Sequence, residues 1–220
     1  MKSDKVFNEY AFLYPAFVAL WWRSGAAGEP LPVFEGLVKR YREVGRRYHT
    51  LEHIEHCFRE LEGVRHLVSD RNAVEFFIFF HDAVYDVGRK NNEERSASLF
   101  AQTAHAAGLP WGLTRKVVQL ILLSESHRAY PESDPDALLA LDIDMSILGA
   151  DAPVYDAYAR AIREEYGMYT DKEFAIGRVG WIFRTLDSQP IFLTEVFRKK
   201  YEERAVANLK EELVQLQNRQ

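Results

Sequence analysis

Residues 73–86 have the sequence AVEFFIFFHDAVYD, in which five consecutive apolar residues precede a histidine and an aspartate. A segment that is apolar on all sides predicts a helix buried in the middle of a fold, not one at its surface. Burying an ionised carboxylate without a partner costs on the order of several kcal/mol, so Asp82 should be paired or bound to a metal. A salt bridge between Asp82 and an arginine is the alternative to a metal.

A helical pattern continues on both sides of this segment, with apolar residues at spacings of three and four. Thr50 is placed to cap one helix, Asn91 or Asn92 to cap another, and Gly108 to end it in a left-handed conformation. No alternating strand pattern of useful length occurs, so we predict an all-α fold in a single domain over residues 1–220. The predicted helices are Val33–Val44, Leu51–Val68, Ala73–Tyr85, Glu93–Ala107, Trp111–Ser126, Ala137–Gly149, Ala152–Gly167, Asp171–Asp187 and Phe192–Gln217.

The composition narrows the classes of protein that the chain can belong to. A content of 47% apolar residues indicates a packed globule, and a net charge of −5 argues against nucleic acid as a partner. The single cysteine, Cys57, excludes an internal disulfide, favours a reducing compartment and is best interpreted as a buried apolar residue. The N-terminus lacks an apolar stretch typical of a signal peptide, and the apolar runs are shorter than a membrane helix. We therefore expect a cytoplasmic protein without a membrane partner.

A second polar cluster precedes the buried segment. The sequence YHTLEHIEHCF, residues 48–58, contains three of the seven histidines, His49, His53 and His56. His49 and His53 share a helix face if the helix includes both, whereas His49 lies just before the first turn if Thr50 is the cap. A single histidine is more often solvated or hydrogen-bonded than a ligand, and we keep that interpretation for His56, as for the other isolated histidines His66 and His105.

A third segment, LDIDMSILG, interrupts an apolar stretch with Asp142 and Asp144. Three apolar segments thus each bring imidazole or carboxylate groups towards the interior. One metal centre would explain all three.

In their order and flanking residues, these motifs resemble the HD superfamily of metal-dependent phosphohydrolases. The stretches YHTLEHI, FFHDAVYD followed by NEERSA, and LDIDMSILG are similar to one branch of predicted HD-superfamily phosphohydrolases with unassigned substrates. The resemblance implies an HD-domain-like helical bundle with a motif core at about residues 46–149 and additional C-terminal helices in residues 150–220.

The resemblance also implies a ligand set, with His53, His81, Asp82 and Asp144 as metal ligands and Asp142 as the alternative to Asp144. YHTLEHI is similar to a stretch of cyclic-nucleotide phosphodiesterases in which the second histidine binds metal and the first protonates the leaving oxygen. That similarity makes His49 the expected general acid.

Further residues follow from the same resemblance. Asp86 is similar to an acid that helps to activate water in guanosine-tetraphosphate hydrolases and would face the same cavity on a continuing helix, or it is a helix-end carboxylate. His127 is the best match for a histidine that binds a second metal. Arg47 and Arg95, with Arg46, are candidates for holding phosphate oxygens, although Arg95 in an exposed ion pair is equally plausible. The presence of Glu93 and Glu94 at the start of a predicted helix is explained by the helix dipole.

The expected activity is hydrolysis of a small phosphate ester, with nucleotides a sensible substrate class, by one divalent ion (Mn, Fe, Ni, Co, Zn or Mg). Two alternatives stay open: an HD-type di-iron oxygenase, and a non-catalytic metal-containing nucleotide-binding module. The sequence does not indicate an oligomeric state.

Overall fold

The computed structural model describes residues 12–128, 134–188 and 190–217. Within these ranges the chain forms ten α-helices and no strand, which confirms the all-α prediction. Two 3₁₀ turns, Arg65–Leu67 and Ser146–Gly149, extend helix ends. The helices are α1 Leu13–Arg23, α2 Pro30–Tyr41, α3 Leu51–Val64, α4 Arg71–Phe80, α5 Asn92–Ala106, α6 Trp111–Leu123, α7 Pro135–Met145, α8 Ala152–Glu165, α9 Asp171–Asp187 and α10 Glu195–Gln217.

The chain divides into two compact units. The first comprises Met1–Val44 and His49–Arg128, and the second comprises Gly45–Tyr48 and Ala129–Gln220. Helices α1 to α6 belong to the first unit and α7 to α10 to the second. The expectation of a single HD-domain-like domain stays a prediction.

Helix α4 is the centre of the first unit, as its apolar sequence predicts. All of its residues from Ala73 to Phe80 are buried, and it contacts α1, α3, α5 and α6. The ring of Phe79 meets the ring of Phe17 at 5.0 Å and that of Phe58 at 4.9 Å between centroids. The predicted helix was too long, however, because α4 ends at Phe80 and residues 81–84 form a turn and a bend.

The predicted helix ends are partly confirmed. The Thr50 side chain accepts a hydrogen bond from the backbone N–H of Glu52 at 3.3 Å, and Gly108 has a φ of 65°. Helix α5 starts at Asn92, and the Asn91 side chain makes no capping hydrogen bond. The Asn92 side chain bonds instead to the backbone of Asp86.

In the second unit, the turn at Ser146–Gly149 packs closely on α10. A Cβ atom at Gly149 would lie 2.4 Å from the Cβ of Tyr201, so this position requires glycine. The Asn208 side-chain amide donates to the carbonyl oxygens of Leu148 and Ala150 at 2.8 and 2.9 Å. These contacts anchor α10 along the turn that follows α7.

None of the helices in the described ranges combines the length and apolarity needed to cross a membrane. Residues 1–11, on which the expectation about a signal peptide rests, lie outside the described residues.

Candidate metal centre

His53 lies on the buried face of α3. The Thr50 cap starts this helix at Leu51, so His53 is in its first turn and His49 precedes it. The His53 side chain is almost fully buried, and the Cys57 thiol one turn later lies 3.8 Å from its Nδ1 and 3.7 Å from its Nε2. Cys57 is buried as predicted.

His81 and Asp82 lie where α4 ends and the chain turns. The Nδ1 of His81 lies 3.1 Å from the carbonyl oxygen of Ile78 and 3.3 Å from that of Phe77. A carbonyl oxygen can only accept a hydrogen bond, so Nδ1 carries the proton. The neutral ring then presents the lone pair on its Nε2, and backbone groups fix metal-binding histidines in this way.

Three potential ligand atoms converge in the first unit: His53 Nε2, His81 Nε2 and Asp82 Oδ2. The two nitrogens are 3.2 Å apart, and the carboxylate oxygen lies 3.1 Å from His81 and 3.8 Å from His53. The circle through these three atoms has a radius of about 2.0 Å, which matches ordinary bonds from a divalent metal to nitrogen and oxygen. The group could therefore hold a metal ion.

The hydrogen-bonding roles of these atoms point the same way. With its proton on Nδ1, a neutral His81 has only an acceptor at Nε2. That atom faces the Asp82 carboxylate, which is also an acceptor, and it faces the ring nitrogen of His53 as well. A second proton on His81 could serve only one of these two neighbours. A cation between the three atoms would satisfy all of them at once, in a buried setting where such groups are seldom left unpaired.

His49 lies beside this group, as the resemblance implies for the general acid. Its Nε2 is 4.0 Å from Asp82 Oδ2, and its side chain is 17% exposed. The imidazole stacks on the ring of Tyr85, with centroids 4.1 Å apart and planes at 28°. Tyr85 thereby fixes a ring that solvent can still reach.

The structure does not support the expected position of Asp86. That expectation assumed a helix continuing from Asp82, whereas the chain has already left α4 at Phe80. The Asp86 carboxylate accepts hydrogen bonds from the Gly88 backbone and the Arg89 side chain, both at 3.0 Å, and its side chain is 50% exposed. These two bonds hold the pKa of Asp86 below its ordinary value. The Asp86 carboxylate therefore stabilises the turn at residues 86–89 and does not lie at the end of α4.

The two acids of α7 have different surroundings within the second unit. Asp142 is buried and accepts hydrogen bonds from the backbone N–H groups of Leu193 and Thr194, both at 2.7 Å, and from the Thr194 hydroxyl at 2.5 Å. Burial raises its pKa to about 6, against the effect of these bonds. Asp144 is half-buried. Because Asp142 already joins α7 to the segment before α10, Asp144 is kept as the candidate fourth ligand, and its role stays a prediction.

The remaining candidates have different surroundings. His127 is half-buried after α6, with a φ of 49° that non-glycine residues seldom adopt. Arg95 is exposed on α5 and contributes to the lowered pKa of Asp86. Arg47 belongs to the second unit, where its Nε lies 3.5 Å from a carboxylate oxygen of Glu164. The carbonyl oxygen of the buried Arg46 accepts a hydrogen bond from the Arg47 guanidinium at 2.9 Å.

Two residues near Asp82 were not recognised from the sequence. Tyr85 supports His49, and Glu93 has a carboxyl pKa raised by burial and then by the charge of Asp82. Glu93 was attributed to the helix dipole alone. Its position directly after the NN pair at residues 91–92, eleven residues beyond Asp82, was the available signal.

No family model, curated protein or solved structure matches the chain. The resemblance to the HD superfamily therefore rests on the motifs quoted above.

Proposed function

We propose that this protein is a metal-dependent phosphohydrolase of the HD superfamily that acts on a small phosphate ester. The observation that carries the proposal is the convergence of His53, His81 and Asp82 at metal-ligand spacing, with His49 beside them. His53, His81 and Asp82 would hold the ion, together with Asp144 as the resemblance implies.

The mixed set of imidazole and carboxylate ligands suits several divalent ions, including Mn²⁺, Fe²⁺, Ni²⁺, Co²⁺ and Zn²⁺. A bound ion supplies Lewis-acid charge for a phosphoryl oxygen and lowers the pKa of water. One ion is the preferred stoichiometry, because His127 is the single candidate proposed for a second.

His49 protonates the leaving oxygen in this proposal. An imidazole can donate a proton near neutral pH, and a side chain that is 17% exposed can be reprotonated from solvent after each turnover. The stacked ring of Tyr85 limits the directions in which the imidazole can point. The His49 Nε2 lies 4.0 Å from Asp82 Oδ2, so the imidazole would lie beside the residues that hold the ion.

The experiment compares two classes of phosphate ester. Metal-free protein is reconstituted with each divalent ion in turn and assayed with nucleoside monophosphates and with p-nitrophenyl phosphate. An alkoxide needs a proton to leave, whereas a nitrophenolate leaves without one. His49→Ala should therefore reduce kcat on the nucleotides by about 100-fold or more, while turnover of the nitrophenyl ester changes little.

A wild-type protein that binds metal but hydrolyses neither class of ester would contradict the proposal. The two alternatives then separate by metal content and redox behaviour. Two irons per chain with oxygen consumption would indicate the oxygenase. Nucleotide binding without turnover would indicate the non-catalytic module.

A further inference from the structure

Helix α9 carries an apolar stripe outside its buried face. The buried face is formed by Phe174, Ala175, Arg178 and Ile182. At about 3.6 residues per turn, a different face of the helix is shared by Ile176, Val179, Gly180 and Phe183. Ile176 is 60% exposed and Phe183 is 53% exposed. Two large apolar side chains on one exposed helix face are typical of a surface that binds another molecule.

A charged residue lies at each end of the same stripe. Lys172 precedes Ile176 by one helical turn, Asp187 follows Phe183 by one turn, and both charged residues are exposed. Neither forms an ion pair with any residue that the structure describes. Each charge also lies at the end of α9 that does not suit its sign, because a helix N-terminus favours negative charge and a C-terminus positive charge. Local rules of this kind are broken mainly at functional sites.

The order of residues along the stripe is self-complementary. In an antiparallel pair of α9 helices with a twofold axis just after Val179, each residue meets the residue of the other copy that lies equally far from the axis. Ile176 then meets Phe183, and Lys172 meets Asp187. Both contacts occur twice. A parallel pair would instead set Lys172 against Lys172 and Asp187 against Asp187, so the charges favour the antiparallel arrangement.

Gly180 lies at the centre of this contact, opposite Val179 of the other copy. A glycine in a helix interior costs about 1 kcal/mol relative to alanine. A Cβ atom at Gly180 would come no closer than 3.4 Å to the end of the Arg184 side chain, so packing among the described residues does not require glycine here. In the antiparallel pair, the missing side chain leaves room for the valine and for a close approach of the two backbones.

We propose that this stripe binds a second copy of the chain in an antiparallel, isologous helix pair, through Lys172, Ile176, Val179, Gly180, Phe183 and Asp187. One helix pair of this length buries less surface than a standard protein interface. The dimer should therefore be weak and depend on concentration. The contact involves the second unit alone and is independent of metal binding and of hydrolysis.

Sedimentation velocity of the full chain from about 1 µM to about 1 mM measures the association. The wild type should change from monomer to dimer within this range. Phe183→Glu should raise the dissociation constant by about 10-fold or more, because it replaces an apolar contact near the axis with a charge. Val214→Glu is the matched control, since Val214 on α10 is 55% exposed and lies outside the stripe. It should associate like the wild type, and both variants should keep the wild-type circular dichroism.

Charge reversal tests the antiparallel register. Lys172→Glu and Asp187→Lys should each weaken the dimer, because each sets like charges opposite one another at both ends of the contact. A mixture of the two variants should associate about as well as the wild type, since opposite charges then meet at both ends of the mixed pair. A mixture that associates no better than either variant alone would contradict the register.

Two further results would overturn the proposal. A wild type that stays monomeric at the highest concentration would show that the stripe does not bind a second copy and fits a different partner. A dimer of unchanged strength in Phe183→Glu would show that the copies associate through another surface.

Discussion

Each of the two units buries a group of polar side chains, and the two groups are built differently. In the second unit Arg178 donates to both carboxylate oxygens of Glu212, at 2.8 and 3.0 Å, and Tyr155 donates to the same carboxylate at 2.5 Å. The guanidinium also lies 4.3 Å from the ring centroid of Trp181. In the first unit, His53, His81 and Asp82 bring lone pairs towards one another.

The difference separates a structural role from a ligand-binding one. In the second unit, donors meet acceptors and the opposite charges balance. Burial and the Glu212 charge raise the pKa of Tyr155 well above its ordinary value, so the phenol stays a donor. In the first unit, one cation would satisfy three atoms that cannot all satisfy each other. We therefore expect the first group to govern metal binding and the second to govern stability.

The largest expected effect comes from breaking the second group. Arg178→Ala leaves the Glu212 carboxylate buried without its counter-charge, and it should lower the free energy of unfolding by about 3–5 kcal/mol. Urea unfolding measures this loss. Arg178→Met combined with Glu212→Leu should recover most of it, because no unpaired charge remains.

Asp171→Ala, which removes the exposed partner of Arg163, is the control and should change stability little. An Arg178→Ala protein as stable as the control would show that the buried pair has no structural role.

A smaller effect should appear in the pH dependence of stability at Asp142. Its pKa rises from an ordinary value of 3.8 to about 6 on folding, so the folded state binds more protons than the unfolded state between these values. Stability from this group is therefore present below about pH 4 and lost as pH rises through about 6, a change of about 3 kcal/mol.

The measurement is the difference in unfolding free energy between wild type and Asp142→Asn from pH 4 to pH 7. The unfolding free energy of the wild type relative to that of Asp142→Asn should fall as pH increases. A difference that moves in favour of the wild type would mean that the hydrogen bonds from Leu193 and Thr194 outweigh burial and favour the carboxylate.

The smallest expected effect is the stability change from Asp82→Asn in the presence of chelator. Without metal, the carboxylate contributes only ordinary polar contacts, and the variant should differ from wild type by less than about 1.5 kcal/mol. Metal at 100 times its dissociation constant should then stabilise the wild type by about 2.7 kcal/mol and the variant not at all. A large loss of stability in chelator would place Asp82 with Arg178 as a structural residue.

Local signals in the sequence predicted much of the fold. Helix α9 has the predicted bounds, Asp171–Asp187, because the Thr170 side chain and Glu173 form a capping box at its start. The early end of α4 was missed, since no glycine, proline or polar run follows Phe80. Helix α1, in an apolar segment containing Pro15, was not predicted individually.

The residues of the candidate site that belong to a sequence motif could be predicted. Those whose role depends on tertiary contacts could not. His53, His81 and Asp82 were identified and lie together. Glu93 was missed because its surroundings come from other segments, and a pattern along one helix does not show them. The pairing of Arg178 with Glu212 likewise joins residues on two different helices.

Elemental analysis tests the central claim that His53, His81 and Asp82 form a metal site. Wild type, Asp82→Asn and Asp86→Asn are each incubated with divalent ions, dialysed and analysed in parallel. Wild type and Asp86→Asn should retain metal in equal amounts, and Asp82→Asn should retain none above background. Metal-free wild type, or Asp82→Asn with the wild-type amount of metal, would contradict the account.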